Sequence, residues 1–522
     1  MRNKQIKMVV ATAAMAMGLA AAAQAQNVLF NGAGSSAAFT TFALGARISG
    51  SGGTSGTCGT HNWTKKSSAQ AIDSRSPSIS PQTGNVWIVW DDTPEPNRKV
   101  CAYLQLDSIV GARMFFAVPR ATLSIPSSDI GTAGDQIIPE PLFPADEVLP
   151  SNVYNDINNK AFNAAPSDIR PEDDKFATTR ALTAFDGVHY NGLGYGPGPI
   201  GTSILSAFST KSVQVVDFSI TGTDPITGMT VPAYTTTNVG AQAVIVAVNT
   251  NDTASGGLGT STFNNINRFV LGKIWDGTQT RTRDISNATG LPSVGIHVLN
   301  REPLSGTFNT FEFTGPRAVE INTTQEVNCN PGAGCNPMNI AAASGGTRQR
   351  VIGTGEMVAE IGAVTDSIGY AFWSTGNFAG VIGTTKYLQV DGVDPLFASY
   401  SGGFFPSCAP PCPGIVSFTH VIDGTYPLWN VLRVITDSRI PSGVSALITA
   451  SQAETANVPD YLAISSLNVF RSHYTQAGRP GANGHKTGTK ESGGDMGGAV
   501  ITVQADNDSI TDTGKELIGF KQ

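Results

Sequence analysis

The chain has 522 residues, with 33 Lys+Arg against 40 Asp+Glu, 40% hydrophobic residues and only 14% charged ones. That composition excludes charge-driven disorder, and at roughly 150 residues per domain the length allows about three folding units, or two enlarged by insertions. A net charge of −7 without any Lys/Arg cluster argues against a nucleic-acid surface, which needs several local cations.

The first 25 residues read as a secretory signal peptide. Arg2, Lys4 and Lys7 precede the apolar run from Met8 to Ala23, and Ala23-Gln24-Ala25 is a small-x-small cleavage site. Cleavage near Ala25 removes three positive charges and leaves a more acidic product. No later apolar stretch reaches the ~18–20 residues needed to span a bilayer. The expected location is the periplasm or the medium, without membrane insertion. Six cysteines suit that setting: Cys58, Cys101, Cys329, Cys335, Cys408 and Cys412 are expected in three disulfides of open connectivity. Metal-type spacing with nearby His is absent from the sequence.

NVLFNGAGSSAAFTT (27–41) predicts a strand, a glycine turn and a helix start capped by Ser35 or Ser36. From about Gly45 to Phe185 the character changes to turn-rich and β-leaning, with apolar runs at NVWIVWDD, VCAYLQLD and RMFFAV. Strand, helix and strand follow from Val188 to Pro225. AQAVIVAVN (241–249) predicts a strand buried on both faces, 263–275 a helix, 294–300 a strand, and REPLSGTFNTFEF a loop and helix. Strands are predicted at 367–373, in GIVSFTHVID and in LWNVLRVIT, then a helix around Ala446–Ala456 and a Gly-rich tail.

Three Gly/Ser turns open helices: GAGSSA (32–37), GYGPGPIG (194–201) and PLSGT (303–307), the last just after Arg301. Such turns aim unpaired N–H groups at the positive end of a helix dipole and favour anions. Singly, each is as well read as a tight turn with an N-cap; together with Arg301 and Asp224 they point to a small-anion site. The GxGxxG spacing at 196–201 carries two prolines where a dinucleotide needs close backbone approach. There is no GxSxG, HExxH or GxxxxGK[ST] sequence, and the six His are scattered. The sequence therefore predicts no enzyme and no cofactor.

These landmarks resemble, in order, the periplasmic phosphate-binding proteins of bacterial ABC importers, which have the type II solute-binding fold. FNGAGSSAAF (30–39), VHYNGLGYGPGPIG (188–201), VDFSITGTDP (216–225), FVLGKIWDG (269–277), REPLSGTFNTFEF (301–313) and SIGYAF (367–372) carry the likeness. The resemblance implies an α/β, two-lobed fold with mixed, mostly parallel sheets and a large β-leaning insertion in the first lobe. Lobe 1 would comprise 26–249, with the insertion at about 46–187, lobe 2 would comprise 250–419, and 420–470 would return to lobe 1 before the tail at 471–522. It further implies a monomeric binder of phosphate or a related oxyanion, serving an inner-membrane permease. Ser35, Ser36, Ala37 and Gly196 would face the ligand from lobe 1, Arg301, Ser305, Gly306 and Thr307 from lobe 2, and Asp224 would accept a ligand proton. Tyr195-Gly196-Pro197 stands where the family has Ser-Ser-Gly. The alternative is a secreted structural or surface-interaction protein built on the same scaffold.

Overall fold

The β1 strand (Val28–Ser35) is buried from Phe30 onward, and its small residues let neighbouring chain approach closely. Gly34 has φ +151°, and a Cβ there would collide with the Pro166 carbonyl oxygen, so only glycine fits. The structure is a computed structural model. It describes residues 28–47, 57–72, 83–116, 119–140, 142–169, 222–223, 230–231, 234–251, 257–275, 279–286, 293–301, 305–315, 347–351, 353–407, 414–437, 440–454, 460, 462–471 and 500–502.

β1 pairs in parallel with β4 (Val100–Leu106), and β4 continues antiparallel to β3 (Thr83–Trp90). β2 (His61–Ile72) and β5 (Thr122–Ser124) complete a five-stranded sheet in the order β1-β4-β3-β2-β5. The described part of the stretch expected as an insertion thus supplies four strands of β1's own sheet. α1 (Phe39–Ala46) follows β1, and α2 (Ser108–Phe116) follows β4. The apolar run RMFFAV, read with a β lean, mostly belongs to α2. Ile109, Val110, Met114 and Phe115 are buried at helical spacing, and Gly111 N–H donates to Asp107 O at 2.9 Å in the first turn.

The second sheet has the order β9-β8-β10-β7-β11-β6 along its main path. Its strands are β6 (Ala165–Ser167), β7 (Tyr234–Asn249), β8 (His297–Arg301), β9 (Thr347–Val351), β10 (Ser367–Phe372) and β11 (Trp429–Asp437). β8 is parallel to β9 and β10, while β7 is antiparallel to β10 and β11. β7 is buried without a break from Val239 to Asn249, as its continuous apolar sequence requires. The helices named below are α3 (Arg268–Trp275), α4 (Gly306–Thr314), α5 (Gly353–Ala363) and α6 (Ser442–Ala453).

β7 and β11 run through both lobes. Val239, Leu432 and Val434 pack into the first-lobe core with Phe30, Phe42 and Trp87, whereas Ala241–Val248, Leu428 and Trp429 pack into the second-lobe core. The register slips between Leu432, opposite Gly240, and Arg433, opposite Asn238. This bulge lies where the paired strands pass from one core to the other, and a bulge supplies local twist at such a crossing.

Elsewhere the expected elements recur with shifted ends. The helix predicted from 263 begins at Arg268, because the Asn267 side chain accepts from Val270 N–H at 2.8 Å and caps it. GIVSFTHVID is not a strand. Val416, Phe418 and Val421 are buried, but Phe418 is left-handed (φ +47°) and Thr419–Ile422 turn into a short helix. The elements expected between 188 and 221 lie outside the described residues, as does the Gly-rich tail up to 499. Among the described residues, no helix is long and apolar enough to cross a membrane.

Candidate functional site

Aromatic clusters fix the two chain segments that carry the predicted grip. In the first lobe, Phe30 stacks on Phe42 and Trp87 with ring centroids 5.7 and 6.2 Å apart, and Trp87 Nε1 donates to Phe39 O at 2.9 Å. Each such ring pair contributes about 0.5–1.5 kcal/mol beyond burial. Tyr103 OH donates to Ser35 O at 2.6 Å. Burial first, and the Asp168 carboxylate second, raise the Tyr103 phenol well above its ordinary range, so it stays a donor. The end of β1 is thereby locked.

In the second lobe, Phe311 stacks on Tyr370 at 3.9 Å between centroids, and Trp275 lies 4.9 Å from Phe311. Tyr370 OH and Trp275 Nε1 both donate to Asn300 Oδ1, at 2.9 and 3.2 Å, and Arg301 N–H donates to Tyr370 OH at 3.3 Å. β8 therefore delivers Arg301 in a fixed place. Ser305 caps α4 by accepting from Phe308 N–H at 3.3 Å.

These two halves meet. Arg301 and Asp107, with side chains 1% and 5% exposed, form an ion pair of 3.0 Å across the lobes. Arg301 also donates to Thr307 Oγ1 at 3.4 Å. Ser35 Oγ donates to Asp168 Oδ1 and accepts from Ala37 N–H at 3.2 Å, while Ser108 Oγ accepts from Asp168 N–H at 3.2 Å. Asn430 Nδ2 reaches Asp168 O and Thr310 Oγ1, the latter at 2.7 Å. Ser36 Oγ lies 3.1 Å from Thr354 Oγ1 at the start of α5, and Ala37 packs against the second-lobe core.

Ser35, Ser36, Ala37, Arg301, Ser305, Gly306 and Thr307 thus gather around one interface between the lobes. Four helices, α1, α2, α4 and α5, begin there, a convergence of N-terminal dipoles that favours negative charge. Gly196, Asp224, Cys329, Cys335, Cys408 and Cys412 lie outside the described residues. Cys58 and Cys101 form a disulfide.

Gly306 is the tightest point. A Cβ on it would strike Ser108 Oγ and come within 2.6 Å of Asp168 Oδ2 and 2.8 Å of Asp168 Cβ. Overpacking of this kind costs about 1–3 kcal/mol, so Gly306→Ala is expected to wedge the lobes apart and weaken anion binding roughly tenfold. Calorimetric titration checks this, and an unchanged affinity places the anion elsewhere.

Beside the interface opens a cleft of about 540 Å³. Ser36, Asn85, Gln105 and Asp107 line its first-lobe wall, and Gln242, Thr354, Glu356, Trp373, Asn377 and Asp460 its second-lobe wall. Burial raises the Asp460 carboxyl above the usual range, with the bond from Thr375 N–H at 2.7 Å opposing that shift.

No family model and no curated protein matches this chain. It is similar in structure to phosphate-binding proteins. One is PstS from Borrelia burgdorferi, at 16% identity over 42% of this chain and 66% of that one, with a TM-score of 0.24. A second is an ABC-type phosphate transport receptor from Vibrio cholerae, at 16% identity over 48% and 78% of the two chains, with a TM-score of 0.28. A third is a phosphate-binding protein from Stenotrophomonas maltophilia, at 12% identity over 64% and 71%, with a TM-score of 0.31. Likeness at this level assigns no residue a role.

Asp107, Ser108, Asp168 and Asn430 were not legible as site residues. Their local signals exist: Leu106-Asp107-Ser108 ends a strand and opens a helix, and Ser167-Asp168 closes a strand shortly before Pro171, much as Thr223-Asp224 precedes Pro225.

Proposed function

We propose that this protein is an extracytoplasmic solute-binding protein that captures phosphate or a related oxyanion between its lobes and presents it to an ABC importer. The observation that carries this reading is the meeting of Arg301 with α1, α2 and α4 starts at the lobe interface, beside two carboxylates. Lobe 2 offers the guanidinium, the Ser305 and Thr307 hydroxyls and the first N–H groups of α4. Lobe 1 offers the Ser35–Ala37 turn and the start of α2. Ligand contacts from both lobes shift an open–closed equilibrium toward closed, with flexing at the β7–β11 crossing.

We assign the part of the acceptor to Asp168, which lies at this interface; Asp224, the acceptor expected from the sequence, lies outside the described residues. With Arg301, Asp107 and Asp168 all ionised, the trio has a net charge of −1, which repels a fully deprotonated dianion. HPO4 and its arsenate counterpart can offset that repulsion by donating a hydrogen bond to a carboxylate; sulfate cannot. Calorimetric titration of the full exported chain with phosphate, arsenate and sulfate tests the reading. Heat is expected from the first two and little from the third. A folded, ligand-free sample that gives heat with none of them overturns it.

A further inference from the structure

Inorganic phosphate needs only the grip, yet the grip adjoins the cleft of about 540 Å³, of the size that small organic ligands occupy. The two share Asp107 and Ser36, so a group bound at Arg301 has a route for a substituent. The chemistry of the cleft is mixed. Asn85, Gln105, Gln242 and Asn377 supply amides, Glu356 and Asp460 supply carboxylates, and no Lys, Arg or His lines it among the described residues. A second phosphate would therefore meet no cation there.

One lining atom asks for a donor. Gln242 is 2% exposed, its Nε2 donates to Asp460 O at 3.3 Å, and its Oε1 has no partner among the described residues. A buried carbonyl left unpaired costs about 1–3 kcal/mol, and a ligand hydroxyl in the cleft relieves that cost. Hydroxyls also suit the rest of the lining, because each one donates to a carboxylate or amide oxygen and accepts from an amide N–H.

We propose that the natural guest is a phosphate monoester of a polyhydroxy compound, such as a sugar phosphate. Its phosphoryl group sits at the Arg301 grip and its hydroxyls lie in the adjoining cleft. The proposal rests on the oxyanion reading of the grip and extends it to a substrate class.

The test is calorimetry on the full exported chain with inorganic phosphate, glycerol 3-phosphate, glucose 6-phosphate and phosphoethanolamine. At least one hydroxylated ester is expected to bind about tenfold or more tighter than inorganic phosphate. Asn377→Ala, at an exposed position, and Gln242→Leu are each expected to lower the affinity for that ester more than the affinity for phosphate. If phosphate binds and neither hydroxylated ester exceeds it, the inference falls and the oxyanion reading stands. If phosphoethanolamine binds more tightly than both hydroxylated esters, the cleft selects an ammonium group and the inference is again overturned. If none of the four binds, both readings fall.

Discussion

Arg301→Ala is expected to cost anion affinity and stability together, and by different routes. Removing one partner of a buried, hydrogen-bonded charge pair at a binding site typically costs about 2–5 kcal/mol of affinity, at least thirtyfold in Kd. The same deletion takes from Asp107, whose side chain is 5% exposed, the guanidinium that pairs with it at 3.0 Å. Breaking a buried pair in this way lowers stability by about 3–5 kcal/mol. A single variant does not separate the two effects. Asp107→Asn added to Arg301→Ala removes the carboxylate left behind, so denaturant midpoints are expected to recover most of their loss. Affinity is expected to stay low, because the guanidinium is still missing. Recovery of both would mean that Arg301 only neutralises Asp107 and that the anion binds elsewhere. Recovery of neither would mean that Arg301 supports the fold through packing.

How much of this was legible depended on sequence distance. The lobe 2 half of the grip, Arg301 through Thr307, is one strand end and one helix start seven residues long, so its pattern survives as a local motif. The β7 run was legible for the same reason, since burial on both faces leaves an unbroken apolar string. The lobe 1 half was legible only at the Ser35–Ala37 turn, which is also local. Asp107 and Asp168 lie 61 positions apart, and they approach only because β4 pairs with β1 while Ala164, just before β6, bridges to Gly32 on β1. No local period encodes that. The run RMFFAV was misleading because a short apolar run fits a buried strand or one side of a helix equally well. What decided it was the helix start at Asp107 and Ser108. In 416–418 the buried alternation is real, but a left-handed Phe418 then folds the chain into a short helix over the core instead of extending it.

The lobe interface also predicts that the two halves differ in what they tolerate. Helix-start N–H groups lie on the main chain, so side-chain substitutions at Ser36 or Ala37 leave most of the donors in place. Arg301 and Gly306 have no such reserve. One is the cation of the grip, and the other is the point where main chain of α4 meets Ser108 and Asp168 with no room for a methyl group. Effects of substitution are therefore expected to concentrate on lobe 2, although in the proposed function both lobes contact the guest.

Replacing both Cys58 and Cys101 with alanine is expected to be the largest purely structural change. The bridge joins the segment after α1 to the start of β4, its Cα atoms are 5.8 Å apart, and the two cysteines are 43 positions apart in sequence. Loop-closure entropy for a ring of that size is worth about 4 kcal/mol, and loss of a native disulfide typically costs about 2–5 kcal/mol. For a lobe of roughly 150–250 residues this lowers the midpoint by about 5–20 °C. The lobes share two strands but have separate cores, so the lobe 1 transition is expected to fall while the lobe 2 transition moves less. β4 also carries Tyr103 and leads into Asp107. The variant should still bind anion below its new midpoint, because the ladder to β1 and β3 still holds Tyr103, and the ladder to β1 still holds Leu106, the residue before Asp107. Reductant alone is a poorer probe, since the bridges expected of Cys329, Cys335, Cys408 and Cys412 would respond to it as well. A midpoint unmoved in the double alanine variant would show that the bridge does not form. It would also remove a structural reason for this chain to need an oxidising compartment.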